Sequence, residues 1–194
     1  MFENIDFTPG IVEYDDFQIK SDLLFKQQEF SYKEHLFQVA YEKNRFIIDI
    51  GWYPEFNPDG CFKMCIIHDL DWMNPLVTKK IKNLEKLEDQ LRLCDKIVRE
   101  LIEKNEDNFY ILHVENVFKI ENRGIVIHGS NEGEICIGDK LKEIESGGIF
   151  RILGIDHFYC SNKEKRDEIN KRSPILIETV KNKEFFKDKV LIKV

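Results

Sequence analysis

The chain has 194 residues, of which 42% are hydrophobic and 12% aromatic, enough for one large domain or two small ones. No window approaches about 18 uninterrupted apolar residues, so the sequence predicts no transmembrane helix. The acidic N-terminus also lacks the apolar segment of a signal peptide, and we predict a cytoplasmic protein. The net charge of −7 is carried by residues 1–60, which hold twelve Asp and Glu against five Lys and Arg. This portion repels phosphates and suits a basic protein surface.

The first part of the chain has the composition of an antiparallel sheet. Aromatic and β-branched residues are frequent in residues 46–52, and apolar residues alternate with others through residues 61–68. Between them, Asn57-Pro58-Asp59-Gly60 is a strong turn sequence, because Pro presets one backbone angle and Gly accepts an unusual one. These segments predict a hairpin, preceded by a further strand in residues 35–42.

Apolar residues recur every three or four positions from Val77 to Leu101. This spacing predicts an amphipathic helix in residues 74–104, either one long helix or a short helix followed by a longer one. Asn74 or Asn83 is a candidate N-terminal cap. The polar run that follows the apolar stripe predicts a domain boundary.

The remaining residues resemble strands throughout. Six short runs rich in β-branched and aromatic residues are separated by turn residues, which predicts a small closed barrel. The predicted fold is therefore an α+β domain with an antiparallel sheet and an amphipathic helix in residues 1–105, followed by an all-β small barrel in residues 106–194. The five cysteines form no CxxC pair, and we predict free, mostly buried thiols.

Glycine and isoleucine recur in a distinctive order near the start of the predicted barrel. The order runs through Phe118, Ile120, Arg123-Gly124-Ile125-Val126, Gly129, Gly133 and Ile135-Cys136-Ile137-Gly138-Asp139. With this spacing the segment resembles the second, β-barrel domain of elongation factor Tu-type translation factors. Small residues permit tight barrel corners, and an Asp in a turn can bond the backbone two residues on. We expect Ile135, Ile137 and Leu141 to face inward. The fold signature is Arg123, Gly124, Gly129, Gly133, Gly138 and Asp139.

The GTPase machinery of those factors is missing from this sequence. No GxxxxGK[ST] phosphate loop occurs, and Ser161–Lys165 has Lys where a guanine-reading motif requires Asp. We predict no GTP hydrolysis, and because no other catalytic motif is found, no enzymatic activity. The family barrel contacts tRNA and the ribosome. The resemblance therefore implies an alternative function, a translation-associated factor that binds tRNA, the ribosome or a translation factor.

Residues 45–75 show a second, weaker resemblance, to small bacterial immunity proteins of polymorphic-toxin systems. Those proteins often pass from a Trp- and Tyr-rich hairpin into an amphipathic helix, and many are acidic. The resemblance implies partner-binding residues in an exposed aromatic and acidic patch at the hairpin tip, where Trp and Tyr are favoured anchors. Trp52 and Tyr53 can alternatively complete the core. The predicted partner-binding residues are Trp52, Tyr53, Glu55, Phe56, Asp69 and Asp71.

His68, Asp69 and Asp71 form the densest polar cluster of the sequence. Besides binding a partner, this cluster can be a metal-binding loop or a turn with a helix-capping carboxylate, and we predict no metal and no cofactor. The resulting hypothesis is a non-catalytic cytoplasmic binding protein, most concretely an immunity-type protein that neutralises a cognate toxin by direct binding. The predicted partner is a protein, with a basic toxin domain as the candidate, and not a membrane. Nucleic acid is disfavoured for the N-terminal domain and possible for the barrel.

Overall fold

The computed structural model describes residues 2–104, 109–156, 174–178, 186 and 188–194. The chain divides into two compact units, unit 1 (Met1–Ile102) and unit 2 (Glu103–Val194). The predicted domain boundary between residues 105 and 106 lies outside the described residues, as does the Ser161–Lys165 segment. Within the described ranges, no helix has the length and apolar composition needed to cross a bilayer.

Unit 1 contains a five-stranded antiparallel sheet whose strands are neighbours in chain order. Two short 3-10 turns, Phe25–Gln27 and Glu29–Ser31, lie between the first two strands. The predicted hairpin is confirmed, because Phe46 pairs with His68 at one end and Tyr53 with Cys61 at the other. The strands are β1 (Ile11–Asp15), β2 (Phe37–Tyr41), β3 (Phe46–Tyr53), β4 (Cys61–His68) and β5 (Val77–Ile81).

One helix, α1 (Glu85–Ile102), packs on the sheet through the predicted apolar stripe. Its buried residues follow the helical period, and they include Leu87, Leu91, Val98 and Leu101. The helix begins after Asn83, whose side-chain oxygen accepts a hydrogen bond from the Glu85 amide at 2.8 Å. Of the two candidate caps in the sequence, Asn74 and Asn83, Asn83 is therefore the one that caps the helix.

The prediction of a helix beginning near residue 74 is wrong, because Val77–Ile81 is strand β5. Val77 and Ile81 are four residues apart, which places them on one side of a helix and equally on one face of a strand. Neighbouring β4 decides between the two, since Val77 pairs with Ile66 and Ile81 with Phe62. Strand pairing thus overrides a helical pattern that is ambiguous over five residues.

A buried hydrogen-bond network joins α1 to the sheet and to the N-terminal segment. The Tyr41 hydroxyl donates to Asp95 Oδ1 at 2.5 Å, and Arg99 Nε donates to Asp95 Oδ2 at 2.7 Å. The other guanidinium nitrogens of Arg99 donate to the backbone carbonyls of Asp6 and Thr8. Burial, and then the Asp95 carboxylate, raise the pKa of Tyr41 far above its ordinary value, so the hydroxyl remains a donor.

Unit 2 is a closed six-stranded barrel, as predicted, with the strand order β10-β7-β6-β11-β8-β9. Alternating residues point inward, so that Leu112, Val114, Ile125 and Ile127 belong to one core. The strands are β6 (Tyr110–Ile120), β7 (Gly124–Gly133), β8 (Lys140–Glu143), β9 (Ile149–Ile155), β10 (Ile175–Ile177) and β11 (Val190–Lys193).

The signature residues occupy positions where the barrel backbone is crowded or turns. Gly124 begins β7 with φ of +140°, and Gly129 faces an irregularity in β6, where a Cβ would lie 1.8 Å from the His113 carbonyl oxygen. Arg123 is exposed in the turn before β7, with its amide bonded to the Ile120 carbonyl oxygen. Gly133 ends β7, and Gly138 lies in the turn before β8.

The expected inward position of Ile137 is wrong, because its side chain is 66% exposed. Residues 134–139 form a connection with a turn instead of a strand, so period-two alternation does not extend through them. Leu141, in β8, is fully buried as expected, and Ile135 packs partly against the core.

Asp139 closes this connection through its side chain. Its Oδ2 atom accepts a hydrogen bond from the Cys136 amide at 2.9 Å and lies 2.9 Å from Lys193 Nζ in β11. Burial raises the pKa of Asp139, but the Cys136 amide and the Lys193 ammonium outweigh it, and the pKa lies below its ordinary value. The ionised carboxylate therefore stabilises the folded barrel.

We expect unit 2 to lose stability as the pH falls through the lowered pKa of Asp139. A carboxyl group whose pKa is lower in the folded than in the unfolded state contributes stability that is present above the unfolded pKa and disappears below the folded one. This loss is measured by unfolding the full chain in urea at a series of pH values from neutral to acidic. Amide exchange in β8 and β11 serves as the reporter of unit 2. Asp139→Asn should be less stable at neutral pH and show a shallower acid dependence. An unchanged acid dependence would contradict the assignment.

Candidate protein-binding surface

Trp52, predicted as an exposed anchor of the hairpin tip, is only 6% exposed. It lies on the same side of β3 as buried Ile48 and Ile50, because these positions are two residues apart. Its indole nitrogen donates to the Asn57 carbonyl oxygen at 2.8 Å, and its ring lies edge-on to that of Phe62. Trp52 therefore completes the core, which was the alternative interpretation, and its expected exposure is wrong.

The remaining predicted residues of the hairpin tip retain some exposure. Tyr53 is half-buried, with Lys63 Nζ 5.1 Å from its ring centre. Burial, followed by the charges of neighbouring carboxylates, raises the pKa of Tyr53 to about 12, so it remains neutral. Glu55 and Phe56 are exposed, and the Phe56 ring contacts the exposed ring of Phe30 edge-on, with centres 6.0 Å apart.

A stronger surface feature lies in the connection between β4 and β5, of which we call residues 69–74 the Trp72 loop. Three large apolar side chains are exposed within four positions: Leu70 at 56%, Trp72 at 44% and Met73 at 88%. Single exposed apolar residues are ordinary, but neighbouring ones that include a Trp are typical of contact sites. The sequence predicted the acidic residues of this segment as partner-binding residues, but not its apolar ones.

Asp71 holds the Trp72 loop in shape. Its Oδ1 atom accepts hydrogen bonds from the amides of Met73 at 3.1 Å and Asn74 at 3.2 Å, and its Oδ2 atom accepts one from Asn74 Nδ2 at 2.9 Å. The carboxylate thus caps a turn, but the helix of the alternative interpretation does not follow it, because Val77–Ile81 is strand β5. Asp69 is exposed, and its amide donates to the Arg45 carbonyl oxygen at 2.9 Å, which ties the loop to the β2–β3 corner.

The backbone of the Trp72 loop adopts a disfavoured conformation at two consecutive positions. Asp69 has φ of +48° and Leu70 has φ of +60°, in the left-handed region that costs side-chain-bearing residues roughly 1 kcal/mol or more each. The hydrogen bonds of Asp71 and of the Asp69 amide hold the chain in this conformation. Left-handed backbone beneath exposed apolar side chains is the kind of local strain that concentrates at functional sites.

A buried carboxylate that sequence analysis missed lies on the sheet face near the Trp72 loop. Asp49, 4% exposed, accepts a hydrogen bond from Gln38 Nε2 at 2.7 Å, and its Oδ1 atom lies 3.1 Å from His35 Nδ1. The His35 ring lies edge-on to that of Trp72, with centres 6.3 Å apart. The available signal was a single charged residue within the apolar segment of β3, because a buried charge requires partners.

Asp49 orients the His35 ring beside Trp72, while Cys65, opposite Asp49 on β4, is a buried thiol. Burial raises the pKa of Cys65, which disfavours a nucleophilic thiolate. Among the described residues, no group of three or more His, Cys, Asp or Glu side chains could hold a metal ion.

Comparison with known proteins gives a weak structural likeness. No protein-family model matches the chain, and no curated protein sequence matches it significantly. Among solved structures, the apo form of translation elongation factor SelB from Methanococcus maripaludis matches with 16% identity and a TM-score of 0.34. The match covers 52% of this chain and 23% of the elongation factor. Nothing found in these comparisons supports the resemblance to immunity proteins.

Proposed function

We propose that the protein is a non-catalytic binding module that contacts a protein partner through the Trp72 loop. We further propose that the partner is a basic toxin domain, which the protein neutralises by covering it. The single observation that supports binding is the group of exposed Leu70, Trp72 and Met73 side chains on a loop fixed by Asp71. Neutralisation is the more specific part of the proposal and requires its own test.

A rigid loop with large apolar side chains is well suited to tight binding. Trp is enriched among the few interface residues that contribute most of the binding energy, and Met adapts its shape to a partner. Because the Asp71 hydrogen bonds already order the loop, binding costs less conformational entropy than it would for a flexible segment. The exposed apolar area can therefore contribute directly to affinity.

The charge of unit 1 favours a basic partner. The negative charge of the chain is concentrated in residues 1–60, and exposed Asp69 adds a carboxylate within the loop itself. Opposite charges accelerate encounter and disfavour acidic competitors, whereas salt screens both effects. We therefore expect the association rate with the partner to fall as the salt concentration rises.

The combined change Trp72→Ala and Met73→Ser should weaken partner binding at least roughly 30-fold, which corresponds to about 2 kcal/mol. The partner is first captured from a lysate of the natural host on the immobilised full-length chain, then purified and titrated against each variant. Leu24→Ser is the matched control, since Leu24 is 74% exposed in unit 1 but outside the loop. Stability should change little in both cases, because the altered side chains are exposed.

Neutralisation is tested by making the captured protein in cells with and without the full-length chain. Growth inhibition by the captured protein, relieved by the wild-type chain and by Leu24→Ser but not by the loop variant, would support the immunity-type role. If the captured protein is harmless but its binding depends on the Trp72 loop, the proposal of a binding module is retained and the proposal of a toxin partner is rejected. Equal capture by the loop variant and the wild type would remove the binding proposal itself.

One feature of the barrel favours translation-associated binding as a second candidate. Exposed Phe118 on β6 is directly opposite Val126 on β7, which is opposite Leu176 on β10, and the three side chains form a row on the outside of the barrel. Arg123 is exposed in the β6–β7 turn that follows Phe118. Capture of ribosomes, tRNA or a translation factor that is lost in Phe118→Ser and retained in the loop variant would favour this candidate.

A further inference from the structure

We propose that a cavity between strand β5 and helix α1 binds a small molecule with two or more phosphate groups. The cavity has a volume of about 310 Å³, and we call it the lysine pocket. Its polar lining is formed by Lys79, Lys80, Lys82, Asn83, Lys86 and Gln90. The pocket shares no residue with the Trp72 loop, so its ligand and the proposed protein partner are independent.

The charge of the lysine pocket is unbalanced. Four lysines line it and no carboxylate does, although the chain as a whole has a net charge of −7. Within the described part of the chain, no side chain of these four lysines forms a hydrogen bond or ion pair with another residue. Lys33 and Lys193, by contrast, are paired with Asp16 and Asp139. A bound anion would relieve the mutual repulsion of these lysines.

Protection of an exposed sheet edge does not account for this arrangement. Strand β5 is an edge strand, and lysines on such strands prevent pairing with other chains. That role requires outward lysines on the strand, whereas Lys82 lies in the connection after it and Lys86 in the first turn of α1. Lys79 shares the face of buried Val77 and Ile81, which is the face that packs on α1, whereas Lys80 lies on the opposite face of the strand. Residues from two elements therefore converge on one cavity.

The size and donor set of the pocket indicate phosphate groups. A phosphate group concentrates up to two negative charges in a small volume, and the compact ammonium of Lys is a common partner for it. The side-chain oxygen of Asn83 already accepts a hydrogen bond from the Glu85 backbone amide. Its side-chain Nδ2 group is therefore the part of Asn83 that can donate a hydrogen bond to a ligand. A volume of about 310 Å³ is at the small end of ligand pockets and matches a diphosphate or a small nucleotide.

The test is a titration of the full-length chain with pyrophosphate, ADP and citrate at constant ionic strength, followed by amide chemical shifts. We expect saturable shifts with pyrophosphate that are confined to residues 79–90. The combined change Lys82→Gln and Lys86→Gln should weaken pyrophosphate binding at least about tenfold. Lys26→Gln with Lys43→Gln is the matched control, since it removes the same charge from exposed unit 1 positions outside the pocket. The control should bind like the wild type.

The three ligands separate the possible sources of the anion. Tighter binding of ADP than of pyrophosphate would assign a nucleotide, and equal binding would assign the bare diphosphate, and both support the site. Equal binding of citrate would overturn the assignment to phosphate. Equal weakening in the pocket and control variants, or no saturable shift up to about 10 mM pyrophosphate, would overturn the site itself. Failure of Trp72 loop variants in partner binding leaves these results unaffected.

Discussion

Gly129→Ala is expected to destabilise unit 2 by about 3 kcal/mol or more. A Cβ at this position would lie 1.8 Å from the carbonyl oxygen of His113 and 3.0 Å from the Glu115 amide nitrogen. Both are backbone atoms of β6, so no side-chain rotation can relieve the collision. The new methyl group can be accommodated only if the paired strands separate, at the expense of neighbouring ladder hydrogen bonds.

Gly154→Ala is the matched control for this barrel substitution. Gly154 lies in β9, and a Cβ there would meet only the Leu176 side chain at an ordinary contact distance of 3.7 Å. Its effect should be within about 0.5 kcal/mol, since Ala also reduces the freedom of the unfolded chain. Amide exchange in β6 and β7 measures both variants. Equal protection in Gly129→Ala and Gly154→Ala would contradict the close approach of β6 and β7.

Asp95→Ala is expected to destabilise unit 1 by about 3 kcal/mol. The substitution leaves the Tyr41 hydroxyl, which is almost fully buried, without its acceptor, and removes the carboxylate that pairs with Arg99. Loss of the Arg99 orientation also weakens its hydrogen bonds to the Asp6 and Thr8 carbonyl oxygens. Both tryptophans belong to unit 1, so urea unfolding followed by tryptophan fluorescence reports this loss directly.

A second ion pair on the same helix is a matched control for Asp95. Glu88 and Arg92 are also four residues apart, but their side chains are substantially exposed. Glu88→Ala should therefore cost only about 0.5 kcal/mol. Tyr41→Phe in combination with Asp95→Ala completes a double-mutant cycle, in which the two effects should be clearly non-additive. Similar losses in Glu88→Ala and Asp95→Ala would show that burial does not distinguish the two carboxylates.

Several elements followed from local sequence alone. The β3–β4 hairpin was predictable because alternating apolar residues flank a Pro-containing turn, and both signals act within one short segment. The barrel was predictable because its turn residues and apolar strands occur in a fixed order. The helix was predictable only over residues 85–102, where its apolar stripe is long enough to exclude a strand.

The candidate site was much less predictable. The exposure of Trp52 depends on which face of β3 packs against α1. The exposure of Trp72 depends on the conformation of the connection that follows β4. Neither is a property of the neighbouring sequence. Asp49 belongs to the candidate site only because the side chains of Gln38 and His35, from the preceding segment, contact it across the sheet.

Composition, hydrophobic period and turn chemistry act over a few residues, and they are sufficient to predict an acidic chain with an antiparallel hairpin, an amphipathic helix and a small barrel. Tertiary packing makes Val77–Ile81 a strand, since pairing with β4 resolves a spacing that a helix and a strand share. It also decided where function can reside. The lysine pocket exists only because β5 and α1 place their lysines around one cavity, and the Trp72 loop is a surface only because its hydrogen bonds hold apolar side chains in solvent.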